Sequence, residues 1–126
     1  MKDIVEKVTA IEKETSAERG EYDLFALFLR EESSNKWDIL VSAKWISESK
    51  EDALKYLAQR IQKSFTSSEL LQISKIVIIE KNNPALPALQ QAISVEHGSA
   101  EIKDSNFFGL QIKHGFLITS KSRQAA

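Results

Sequence analysis

The sequence predicts an α+β fold. One domain spans residues 1–126, in the order α-β-β-α-β-α-β-β. The expected architecture is a mixed sheet of about four to five strands, opening with an antiparallel hairpin and carrying helices packed on it. Three observations lead there. Two apolar stretches with strand-like alternation, 22–30 and 37–46, are separated by a short polar loop. Apolar residues at helical spacing precede and follow that pair. A β-branched run, Ile76-Val77-Ile78-Ile79, comes after the second helix.

The first helix is predicted over 2–18. Ile4, Val8 and Ile11 recur at helical spacing with Val5 beside them, and charges fill the remaining face. Asp3 precedes Lys7 by one turn, the favourable order for an ion pair. Gly20 is a stop signal. The apolar stripe is thin, which suits a helix lying on a larger body or on a second copy of the chain.

Tyr22–Arg30 reads as a strand whose two faces are both apolar, so both should be covered. The polar segment 31–36 turns the chain. Trp37–Ile46 then forms the partner strand, with Trp37, Ile39, Val41, Ala43 and Trp45 on one face. Ser49 and Asp52 mark the start of the second helix, where Leu54, Leu57, Ala58, Ile61 and Phe65 share a stripe. Thr66 and Glu69 form a second capping signature. The strand 73–80 reads as a central one buried on both faces. If the second helix is a crossover, this strand runs parallel to 37–46.

Asn83-Pro84 caps a short third helix with Leu86, Leu89, Ala92 and Ile93 inward. Beyond Gly98 the chain reads as extended: a short strand at 100–102, a turn at Asp104-Ser105-Asn106, and one or two strands over 107–119 with a bulge or bend at Gly115. Residues 120–126 are expected to be a flexible tail.

Composition narrows the function classes. Hydrophobic residues at 42% and charged residues at 28% fit a globular domain that builds its own core. The formal net charge of -1 supplies no field for drawing in nucleic acid, which makes it a disfavoured partner. Cysteine is absent, which removes thiolate catalysis, disulfides and cysteine metal sites. No apolar run approaches the roughly 20 residues of a membrane span. The charged N-terminus lacks a signal-peptide apolar region, so the expected location is the cytoplasm.

Motifs are sparse. The four glycines, at 20, 98, 109 and 115, form no phosphate-binding loop. No cofactor or metal site is expected. Asp38 and Lys44 partly resemble the strand-borne acid and lysine of metal-dependent nucleases, but the acid needed at 42 is Ser42. Glu80 closes an apolar strand just ahead of a loop and helix, where α/β sheets often bind ligands. Glu96-His97 and Lys113-His114 would meet if their segments pair, and an acid beside an imidazole tunes proton transfer. Trp37 and Trp45 would fill the core or present an aromatic face. After Asp104 only bases occur, Lys113, Lys121 and Arg123, too few for a nucleic-acid surface.

The leading expectation is an interaction or regulatory protein acting as a homodimer, in which a second copy covers apolar surface that one chain leaves open. The alternative is an enzyme or small-ligand binder with a pocket lined by Lys44, Glu80 and His114, with nuclease-like chemistry first among the enzymatic options.

Overall fold

The computed structural model describes residues 2–31 and 35–122. Its elements are α1 (Lys2–Arg19), β1 (Leu24–Arg30), β2 (Trp37–Ser42), α2 (Lys44–Glu48), α3 (Lys50–Ser64), α4 (Ser67–Leu70), β3 (Ile73–Ile78), α5 (Ala85–Ala92), β4 (Ala100–Phe107) and β5 (Leu110–Ser120). The strands form one five-stranded sheet in the order β3-β2-β1-β5-β4. β2 and β3 run parallel across the α3 crossover, and the other neighbours are antiparallel. This is the predicted α+β architecture with its mixed sheet, plus two short helical turns.

Alternation along β1 and β2 builds two cores. Phe25, Leu27, Ile39 and Val41 face α1 and α3, where Ile4, Val8, Ile11, Leu57 and Ile61 close over them. Leu24, Ala26, Phe28 and Leu40 face the opposite way, toward Leu86 and Leu89 of α5. A strand covered on both sides needs apolar residues on both faces, which is why 24–29 is an unbroken apolar run. Each fully buried side chain of this kind contributes roughly 1.5–3 kcal/mol.

Several predicted boundaries move, for identifiable reasons. β2 stops at Ser42 instead of running to Ile46, and Lys44 opens α2. Trp45 therefore leaves the strand. Its indole N–H donates to the Gly20 carbonyl at 2.8 Å, and its ring meets Tyr22 and Tyr56 edge-on. Trp37 stays in the sheet, so the two tryptophans do not share a strand face. The Thr66/Glu69 signature forms a complete capping box at α4. At α5 the Asn83 side chain accepts from the Ala85 N–H at 2.9 Å.

The predicted turn at 104–106 is a kink instead. Asp104 adopts φ 47°, a conformation aspartate tolerates, yet β4 continues alongside β5. The reversal falls at Phe108 and Gly109, both with positive φ (57° and 71°), between the paired Phe107 and Leu110. Gly115 is not itself a bulge. The register against β1 slips once on either side of it, between Leu117 and Thr119 and between His114 and Ile112. Gly115 is a close approach: a Cβ there would lie 2.9 Å from Ile102 and 3.1 Å from Phe28. Ser120 ends β5 and is buried, so that end of the predicted tail is part of the sheet, while 123–126 lie outside the described residues.

β3 differs most from expectation. Its apolar run suggested a central strand, but it lies at the sheet edge with Ile73, Ile76, Val77 and Ile78 only half-buried.

Candidate functional site

The three residues expected to line one pocket occupy two ends of the sheet. Lys44 is exposed at the start of α2, beside a small cleft of about 130 Å³ lined also by Glu21, Asp23 and Lys81. Lys81 approaches Asp23 at 3.8 Å. Glu80 lies just past β3 and pairs with Lys50 on the surface. His114 sits at the far end. Ser42 is opposite Leu24 whereas His114 is opposite Leu29, a separation of about 17 Å along β1. His114 pairs with Glu101 and lies against the rings of Phe116 (4.8 Å) and Trp37 (5.5 Å).

The nuclease-like pattern does not assemble. Asp38 is buried on β2 and takes the Arg30 Nε–H at 2.7 Å. Ser42 follows on the same strand face with its hydroxyl buried, and Lys44 belongs to another element. Among the described residues no group of three or more His, Asp or Glu could hold a metal ion. The segments of His97 and His114 do not pair with each other: His97 lies beside Thr119 and His114 opposite Lys103, and each imidazole has its own acid. Glu96 pairs instead with Lys121 at 3.1 Å.

The acid of His97 comes from a distant part of the chain. Glu12, fully buried on α1, receives His97 Nδ1 at 2.7 Å on one carboxylate oxygen. The Thr119 hydroxyl donates to the other oxygen at 2.8 Å, and the His97 backbone N–H donates back to Thr119 Oγ1 at 3.1 Å. A carboxylate withdrawn from water requires such partners. A carboxylate can only accept, so Nδ1 is the donor, and Nε2 is the other nitrogen of a ring that is 40% exposed. His97 itself adopts φ 53°, a left-handed conformation held by these bonds.

Ile4, Val8 and Ile11 supply on the order of 5–8 kcal/mol of burial, enough to seat α1 while it carries Glu12 inward. Next to this cluster a groove of about 460 Å³ runs between α1 and the segment that follows His97. Glu12 was missed by sequence reasoning because it sits among the charges of α1. Its signal was spacing: it stands four residues after Val8, on the stripe that continues through Thr15.

A third feature is the β3 edge. Exposed Leu71 precedes it, and Ala58, Ile61, Leu70, Ile73 and Ile76 line a shallow depression between α3 and β3. The Ile79 N–H donates to the Val41 carbonyl, so the backbone groups of Val77 and Ile79 face β2 and those of Ile76 and Ile78 face outward.

No family model, no curated protein and no solved structure matches the chain. No helix among the described residues is long and apolar enough to cross a membrane.

Proposed function

We propose that the protein is a non-enzymatic interaction module of the cytoplasm that works as a homodimer joined through β3. The observation that carries this is the mismatch at the edge: Ile76, Val77 and Ile78 have the composition of a central strand and sit, half-buried, beside outward-facing backbone groups. A second copy supplies what that strand lacks. An antiparallel pairing about a twofold axis at Val77 sets Ile76 opposite Ile78 of the partner, which bonds the outward groups and joins β-branched side chains across the seam. Leu71 and Leu70 extend the apolar contact beyond the strand. The near-neutral net charge opposes such self-association only weakly.

Light scattering on the full chain tests this reading. The expected mass is twice 14.2 kDa, falling to one chain mass in Leu71→Glu and in Val77→Lys, with circular dichroism unchanged. A wild-type monomer at millimolar concentration, or folded variants that stay dimeric, overturns it.

A further inference from the structure

We propose that His97 is a phosphoryl-acceptor site, a nucleophile that takes a phosphoryl group onto Nε2 from a phosphoramidate or acyl phosphate donor. The chain has two histidines, and their bonds to acids engage different nitrogens. His114 engages the exposed Glu101 through Nε2, its ring lying against Trp37 and Phe116. His97 engages the fully buried Glu12 through Nδ1. Because Nδ1 keeps its proton, the lone pair of the neutral ring is on Nε2. That nitrogen has no hydrogen-bond partner among the described residues, and the ring carrying it is 40% exposed.

The surroundings hold this nitrogen in place. Val95 and Ser120 exchange two backbone hydrogen bonds, the Gly98 N–H donates to the Ile118 carbonyl, and the His97 N–H donates to Thr119 Oγ1. The segment is thus tied to β5 on both sides of His97, so the ring is set before a donor arrives. Attack forms an Nε2–P bond, and the bond from phosphorus to the leaving group breaks with its electron pair going to the leaving group. The ring then carries a positive charge, with the Nδ1 proton still in place. Glu12, its carboxylate 2.7 Å from Nδ1, stabilises that charge as it develops, the role a buried carboxylate plays behind the histidine of a Ser-His-Asp triad. The attached phosphoryl dianion offsets the imidazolium, so the mark persists. An acyl group would leave an uncompensated cation that loses the acyl group to water. The adjacent acid, Glu96, pairs with Lys121 at 3.1 Å, which weakens its repulsion of an incoming phosphoryl group. No residue of β3 takes part, so the reaction does not depend on self-association.

The test treats the full chain with phosphoramidate and follows each histidine by phosphorus nuclear magnetic resonance and peptide mass mapping. The reagent is a zwitterion whose ammonia leaves with the electron pair, so no further proton donor is needed. His97 is expected to react at Nε2, roughly tenfold or more faster than His114 and faster than in the urea-unfolded chain, where Glu12 no longer stands behind the ring. Glu12→Gln, which keeps an oxygen for Nδ1 but no charge, should slow His97 by a similar factor. Equal rates for the two histidines, a rate at His97 no greater in the folded chain than in urea, or addition at Nδ1 overturns the proposal. So does an unchanged rate in folded Glu12→Gln.

Discussion

Glu12 on α1 and His97, 85 residues later, meet at 2.7 Å and tie the first helix to the last strand through Thr119. Removing the carboxylate leaves the buried Thr119 hydroxyl and the ring N–H without their acceptor. Glu12→Ala is therefore expected to cost about 2–3 kcal/mol, read as a lower urea midpoint with an unchanged slope.

Trp45 offers a second measurable contact. Trp45→Phe keeps most of the packing against Tyr22 and Tyr56 but loses the hydrogen bond to Gly20. A loss of about 0.5–1.5 kcal/mol is expected. Trp37 remains as the fluorescent probe for the same urea titration.

Two buried hydroxyls make the opposite prediction. Ser42 and Ser120 flank Leu24 on either side of β1, and neither hydroxyl has a hydrogen-bond partner among the described residues. Ser42→Ala and Ser120→Ala each remove an unsatisfied polar atom, so thermal melting should show stability unchanged or raised. A marked loss would mean that these hydroxyls do bond in solution.

Acid sensitivity follows from Glu69. The Lys7 ammonium, which donates to its carboxylate, and then the Thr66 backbone N–H hold its pKa below the ordinary 4.5. A carboxyl depressed in the folded state contributes stability above its ordinary value and loses that contribution as pH falls through the lowered one. Stability should decline on acidification below pH 4.5, and Glu69→Gln should flatten part of that decline in pH-resolved denaturation curves.

The sequence made the hairpin and helices legible because their signals are local: the apolar runs at 24–29 and 39–41, the Thr66/Glu69 cap, and the stripe through Leu57 and Ile61. Strand order was not, since β5 inserting between β1 and β4 depends on pairings about 90 residues apart, which no local pattern encodes. The same distance hid the His97–Glu12 pair, and no local pattern marked β3 as the edge strand. Asp104 illustrates a subtler limit. Its turn-favouring chemistry is expressed as a kink, while Phe108, a poor turn former, takes the reversal because the β4–β5 register puts it there.

Hydrogen exchange at the Ile76 and Ile78 amides tests the β3 interface most directly, because these N–H groups face away from β2. Joining through a second copy predicts slow exchange in concentrated protein that becomes fast on dilution, while the Ile79 amide, bonded to Val41, stays protected throughout. Fast exchange of Ile76 and Ile78 at every concentration would contradict it.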